Sequence, residues 1–484
     1  MKMLANIQPA EVFEIFEEIS RIPRGSGNEE AVSNFLANAG KCMGYNVYQD
    51  EAFNVVIKKP ASEGYEDSPA VILQGHMDMV CEKNKGTEHD FLKDPIMAYA
   101  EGGYVKAEGT TLGADNGIAV AYMLALLKDK TLNHPPLEMV FTSDEEAGMN
   151  GARALDCSVL EGRRLINLDS EEEGHILTCC AGGLRASITI PVSWERPKSG
   201  QKAAKISIKG LAGGHSGADI HLQRANANKL MGRLVKFLRQ NMEIWFAEIE
   251  GGNMDNAIPR ESWATAVVNE TDTGILKGLC EAFEKMCINE YRNTEKNISV
   301  ELMLEADMPK NVFSYVTAQK AEAALMLTPY GVKTMSTDIP GLVESSNNLG
   351  IVRTCDDGFK LTCAVRSSVG TRKSLICGEL EEIAALTGGK FETHGEYPAW
   401  EYNPKSDLRD VMVSVYKEMF GKDAKIDAIH AGLECGLLGQ KIEGIDMVSI
   451  GPDMENVHTP NEKLSIESVE RTWRYIKKVL ENLK

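Results

Sequence analysis

Apolar residues near the start of the chain recur at close to helical spacing, with Val12, Phe13, Ile15, Phe16 and Ile19 predicting a helix over residues 9–20. Pro23 and the Gly25-Ser26-Gly27 turn interrupt that pattern, and a second helix is expected to start near Asn28-Glu29. Three short apolar runs follow: Val71-Ile72-Leu73, Val140-Phe141-Thr142 and Leu165-Ile166-Asn167-Leu168. Each reads as a buried strand, and the longer apolar stretch over residues 118–127 reads as a helix. Alternating strands and helices predict the α/β class, with a mixed, mostly parallel central sheet flanked by helices. Such sheets bind ligands outside the C-terminal ends of their strands.

The pattern changes after Gly182-Gly183-Leu184. Apolar and polar residues alternate over 186–190 and again over 204–208, a helix is expected over about 225–238, and further strands and helices continue to about residue 393. This block predicts an inserted α+β domain. The expected division is 1–185 for the first part of one domain, 186–396 for the insertion, and 397–484 for the second part of the first domain. The two arms would join near Tyr397-Pro398-Ala399-Trp400. A closing helix from Ser465 places Ile466, Val469, Trp473, Ile476 and Leu480 on one face.

Length and charge narrow the function classes. The chain has 484 residues, enough for two domains with real cores. A formal net charge of -19 argues against nucleic acid and anionic membrane surfaces as partners. The first residues lack a basic segment followed by an apolar one, so no signal peptide is expected. No apolar run approaches the roughly 20 residues of a membrane-spanning helix. Eleven cysteines without regular spacing, with Cys179 and Cys180 adjacent, read as reduced thiols of a cytoplasmic protein.

Candidate chemistry lies in five short stretches. HMDMV, GADNG, SDEEAG, NLDSEE and NVHTP carry His76, Asp78, Asp115, Glu145, Glu146, Asp169 and His458. Four of the five follow an apolar run closely. Carboxylates crowded there repel one another unless a positive object holds them. A pair of divalent cations is the simplest such object, which predicts a two-metal hydrolase. If the chain stays extended past residue 76, the side chains of His76 and Asp78 point to the same side. The ligand types accommodate zinc, manganese or cobalt. His89, His134, His175, His221 and His394 lie outside any metal-type context, and the Glu171-Glu172-Glu173 run reads as a solvated loop.

The order HxD, GADNG, DEE, an Asp after an apolar strand, GGHSG, NAIP and a late VHTP resembles the two-zinc exopeptidase clan of carnosinases, glutamate carboxypeptidase, aminoacylase and bacterial dipeptidases. Within it, HAGLECG at residues 430–436 and the long middle block look most like the aminoacyl-histidine (Xaa-His) dipeptidases. The resemblance implies a zinc-exopeptidase-like catalytic domain with the insertion acting as a lid. It implies that His76 and Asp169 bind one zinc, that Glu146 and His458 bind another, and that Asp115 bridges them. Asp78 would accept the ring N–H of His76, and Glu145 would be the general base. From the lid, His215 would stabilise the oxyanion, while Asn256 and Arg366 would grip the substrate's carboxylate. His430 and Glu434, or backbone groups beside them, would meet the substrate's free amino end.

Members of that clan that cleave free dipeptides tend to carry Asp where acylases carry Glu, and here that residue is Asp169. The expected substrates are therefore short unblocked dipeptides, including Xaa-His and β-alanyl-His types. An aminoacylase or other amidohydrolase with the same metal site is the alternative. A non-catalytic metal-binding protein would not need Glu145. Relatives often dimerise through the lid and borrow a histidine from the partner, so a homodimer and a self-sufficient chain both stay open.

Overall fold

The computed structural model describes every residue except Met1, Lys2, Met3, Ala5 and Asp357. The chain divides into two compact units. One comprises Met1–Cys180, Tyr402–Ala428 and Leu433–Lys484, and the other comprises Ala181–Glu401 with Ile429–Gly432.

The first unit is built on an eight-stranded mixed sheet. At its centre, strand Val71–His76 pairs in parallel with Leu137–Thr142 on one side and with Arg164–Asn167 on the other. Arg164–Asn167 in turn pairs in parallel with Asp446–Ser449, which comes from the far end of the sequence. Antiparallel strands Asn46–Gln49 and Val55–Lys59 extend one margin. Both faces of the central strands are covered, and so Val71, Ile72, Leu73, Leu165 and Ile166 are wholly enclosed.

Register places functional chemistry at one end of this sheet. His76 lies opposite Thr142, Gln74 opposite Asn167, and Ser449 opposite Asn167. Because the strands run parallel, their C-terminal ends share an edge. Helix Ala114–Lys128 lies against the sheet so closely that a Cβ on Gly75 would sit 2.6 Å from that of Ala119. Its residues Ile118 through Leu127 are all buried, as their unbroken apolar run predicts. Each such Leu or Ile contributes about 1.5–3 kcal/mol through burial. Helix Ile466–Asn482 packs on it, with Tyr122 and Trp473 stacked at 5.9 Å and the Tyr122 hydroxyl donating to Val469 O.

One expectation is refined in this unit at Glu173. The Glu171-Glu172-Glu173 run is a loop whose first two residues are exposed, as expected, while Glu173 is held. Glu173 takes three hydrogen bonds from the Arg471 guanidinium at 2.7–2.9 Å. Glu172 lies 2.9 Å from the His175 ring, whose same nitrogen is 3.2 Å from Asp427. A long-range arginine and a histidine thus anchor what looks like a polar loop in sequence.

The second unit carries a nine-stranded antiparallel sheet. Leu184, Ala186, Ile188 and Ile190 alternate inward on strand Gly182–Ile190, and Ala204, Ile206 and Ile208 on Gln201–Lys209. The core they line also includes residues of helices Ala227–Asn241, Thr273–Glu290, Tyr315–Leu327 and Gly370–Thr387. The Asn226 side chain caps the first of these by accepting from Lys229 N. Strand Val343–Thr354 pairs with Phe359–Ser367 and sets Ser346 opposite Arg366. All eleven cysteines of the chain are free. Among the described residues no helix is long and apolar enough to cross a membrane.

Candidate metal centre and substrate-binding residues

The first unit brings seven sequence-predicted residues to the C-terminal edge of its sheet. His76 ends strand Val71–His76 and is 1% exposed. Its Nε2 lies 3.1 Å from Asp115 Oδ1 and 3.3 Å from Asp169 Oδ1. The other oxygen of Asp115 lies 3.1 Å from His458 Nε2, which is 3.0 Å from Glu146 Oε1. One carboxylate therefore stands between two histidines, each with its own second carboxylate.

Two groups, His76-Asp115-Asp169 and Asp115-Glu146-His458, offer ligand atoms all within 4.8 Å of one another, and His76-Glu145-Glu146 form a third such group. Imidazole nitrogens and carboxylate oxygens are the donors that zinc, manganese and cobalt accept. The residues present thus fit a pair of divalent cations sharing Asp115.

The backbone is shaped to aim these groups. Gly113 takes φ +68, and a Cβ there would meet Met79 Sδ at 2.6 Å and an Arg24 Nη at 2.7 Å. Only glycine fits that approach. Asp144 and His458 adopt left-handed backbone with φ of 52 and 62. Such non-glycine positions cost free energy and cluster at functional sites.

Asp78 is fully buried behind His76. Its Oδ1 lies 3.3 Å from His76 Nδ1 and accepts the Glu145 N–H at 3.0 Å. Its Oδ2 accepts the Glu146 N–H at 3.2 Å and the Ser26 hydroxyl at 2.8 Å. One carboxylate thereby orients a histidine and anchors both glutamates that follow strand Leu137–Thr142. Burial alone would raise its pKa, but the His76 hydrogen bond and charge, with the other donors, hold it below the usual range.

The other groups form a crowded set of charges. Burial and neighbouring carboxylates push Asp169 up to about 6 and hold Glu145 well above its ordinary range. Hydrogen bonds that its ring N–H donates to Asp115 and Glu146 raise His458 to about 11. His76 is raised despite burial, through Asp169, Asp115 and Asp78. Divalent ions take imidazole and carboxylate in their basic forms only, so metal uptake expels protons and affinity strengthens as pH rises. Zinc titration of the metal-free protein near pH 7 is expected to release at least about one proton overall. Calorimetry in buffers of differing ionisation enthalpy reads this directly, and buffer-independent heats would rule it out.

The structure also identifies side chains that sequence reasoning passed over. Arg24 is buried, donating from one Nη to Met77 O and Asp78 O and from the other to Gly113 O. Glu462 accepts backbone N–H groups from residues 112–115. The signals in sequence were slight: an arginine before GSG, and a glutamate four residues after His458. Glu434 is fully enclosed. Its Oε2 accepts from Gln74 Nε2 at 2.5 Å and Thr142 Oγ1 at 2.6 Å, while Oε1 has no hydrogen-bond partner. Burial pushes this carboxyl up to about 8.

The remaining four candidates belong to the second unit. A two-residue ladder pairs Gly214-His215 with Ala257-Ile258, which sets His215 beside Asn256. His215 Nδ1 accepts the N–H groups of Gly217 and Ala218 at 3.3 and 3.1 Å. The ring proton must then sit on Nε2, leaving it free to donate. Partial desolvation and the Arg366 charge lower the His215 pKa and favour this neutral form. Arg366 is mostly buried; it donates to the Tyr397 hydroxyl at 3.1 Å, and its Nε has no partner. His430 Nε2 lies 2.7 Å from Ser346 Oγ. Burial and the Arg366 charge push its pKa down to about 3. HAGLECG is thus divided between the units, with His430 in the second and Glu434 in the first.

Comparison with known proteins places the chain in a family. Residues 72–482 match the model of peptidase family M20/M25/M40. The chain is 38% identical to the cytosol non-specific dipeptidase of Escherichia coli K12, covering 100% of this chain and 99% of that protein. It superposes on the crystal structure of aminoacylhistidine dipeptidase from Vibrio alginolyticus with a TM-score of 0.94 at 38% identity, over 99% of this chain and 98% of the other. The aminopeptidase PepT from Bacillus cereus, 16% identical and covered to 99% on both chains, shares the fold at a TM-score of 0.57.

Proposed function

This chain belongs to peptidase family M20/M25/M40, and we propose from that membership that it is a two-metal dipeptidase of short unblocked dipeptides, Xaa-His and β-alanyl-His among them. The observation that carries the reading is Asp115, whose two oxygens each face a histidine that has a further carboxylate beside it. Glu145, beside those groups, supplies the base that mere metal storage does not need.

In this reading His76 and Asp169 hold one ion, Glu146 and His458 the other, and Asp115 both, with zinc as the proposed metal. When bound, such a pair polarises the scissile carbonyl and lowers the pKa of water towards neutrality. The chain's own groups do the rest. Asp78 accepts a hydrogen bond from the Nδ1–H of His76, which fixes the tautomer and would leave Nε2 unprotonated to hold an ion. Glu145 accepts a proton from the attacking water and returns it to the leaving amine. His215, neutral and protonated on Nε2, donates to the oxyanion as the carbonyl becomes tetrahedral.

Arg366 and Asn256 are assigned to the substrate carboxylate, and the unpartnered Arg366 Nε supports this, because a buried guanidinium donor calls for an acceptor. His430 lines the same face through Ser346 and Arg366. For Glu434, enclosure favours a supporting task over contact with the substrate's amino end: it holds the strand ends through Gln74 and Thr142. Self-association through the second unit is supported by its edge strand Ser299–Glu305, where Met303 and Leu304 are 60% and 56% exposed. A cytoplasmic setting is supported by the free cysteines and by the cytosol dipeptidase relative.

Hydrolysis of a panel tests the proposal: Xaa-His, β-alanyl-His, other dipeptides, a tripeptide and an N-acetyl amino acid, each with zinc and after chelation. Cleavage confined to dipeptides and abolished by chelator is the expected result. Cleavage of the acetylated substrate alone would move the protein to the acylases. No cleavage by protein carrying two ions would leave a metal-binding protein.

A further inference from the structure

We propose that Glu462, together with Arg24, is a positioning residue that sets the separation and orientation of the metal ligands His76, Asp115 and His458 without touching a metal. The inference rests on the two-ion reading above and adds residues to which that reading gives no task.

Glu462 is 3% exposed, and both its oxygens are fully engaged. Oε2 accepts the N–H groups of Leu112 and Gly113 at 2.7 and 3.0 Å, and Oε1 those of Ala114 and Asp115 at 2.8 and 3.3 Å. Four consecutive amides at the entry to helix Ala114–Lys128 converge on one side chain, the last of them belonging to Asp115 itself. The segment from His458 to Glu462 therefore grips Asp115 twice. His458 Nε2 meets its carboxylate, and Glu462 meets its backbone. The link between these two grips is short and tied, since Glu462 N donates to Thr459 O and Asn461 N to Thr459 Oγ1.

Arg24 works on the carbonyl side of the same turn. One Nη donates to Gly113 O at 2.5 Å, and the other to Met77 O and Asp78 O at 2.9 and 3.2 Å. The guanidinium thereby fixes the turn before Asp115 against the segment that follows His76. Three ligand-bearing segments, far apart in sequence, are registered by one anion and one cation. Groups placed this way around a metal centre change its affinity and activity by roughly 10–100-fold when removed.

A purely structural brace would lower stability and leave the loaded centre unchanged. The test therefore reads the metal site itself. Glu462→Gln keeps the volume but turns an NH2 group towards two of the four N–H donors. In that variant, cobalt(II) titrated into the metal-free protein is expected to bind at one of the two positions at least about tenfold more weakly. The visible absorption of the two-cobalt form should change in band position or intensity, and kcat for a dipeptide should fall while KM stays within about twofold. Wild-type affinity for both ions with an unchanged cobalt spectrum would overturn the proposal.

If Glu462→Gln does not fold, Arg24→Lys decides. It keeps the cation but cannot span Gly113, Met77 and Asp78 at once, so the same weakening and spectral change are expected, and a wild-type titration and spectrum overturn it. Wild-type protein that fails to bind two cobalt ions would instead defeat the two-ion reading. The two failures are thus separable.

Discussion

Glu145→Gln is expected to lower kcat for a dipeptide by about 10³-fold or more, with both metal equivalents retained. The side chain lies within ligand distance of His76 and Glu146, yet the two triads that share Asp115 are complete without it. Its backbone N–H is pinned by Asp78, which an amide side chain leaves intact. Burial and the neighbouring Asp169, Glu434 and Glu146 carboxylates raise its proton affinity above that of an ordinary glutamate. A group so placed is suited to carrying a proton from water to a leaving amine, and glutamine cannot take one up. The check is kcat measured beside metal content on the same preparation. Near-normal turnover would remove Glu145 from its role. Loss of metal along with activity would make it a ligand instead.

Asp115→Asn is expected to be as damaging, by another route. Here metal content falls, by about one equivalent, and activity falls by more than about 10³-fold, since the chemistry supplied by a metal pair is worth several kcal/mol. The carboxylate presents one oxygen to each histidine at 3.1 Å, and an amide offers an acceptor on one side only. Hydrogen bonds from His458 and His76 hold its pKa well below the ordinary range against the effect of burial. Elemental analysis and the dipeptide assay together distinguish the two variants: one loses activity alone, the other loses activity and metal. An Asp115→Asn protein with two bound ions and wild-type turnover would refute the bridging assignment.

Much of this centre could be read before the fold was known, for a physical reason. Strand ends carry their chemistry in adjacent residues, so an apolar run followed by HMD or SDEE marks both the element and the group it presents. The buried strands near residues 72, 140 and 166 and the buried helix over residues 118–127 are likewise legible, because an unbroken apolar run reports burial on every side. The partner of Glu173 is not legible in the acidic run for the converse reason. Three charges in a row look solvated until Arg471, some 300 positions away, closes on one of them.

The sequence by itself determined the class of chemistry: which donors exist, that they follow strands, and that an α/β frame is interrupted by a second pattern of alternation. Tertiary structure alone decided which donors meet, because those pairings join residues dozens to hundreds of positions apart. Glu462 reaches the amides of residues 112–115, Arg24 spans Met77, Asp78 and Gly113, and Gln74 links Glu434 to Asn167. It also divided HAGLECG, placing His430 with Ser346 and Glu434 with Thr142. No local period encodes such contacts. They arise when strands distant in sequence align their C-terminal ends, and the polar groups buried there find partners because an unpaired one costs about 1–3 kcal/mol.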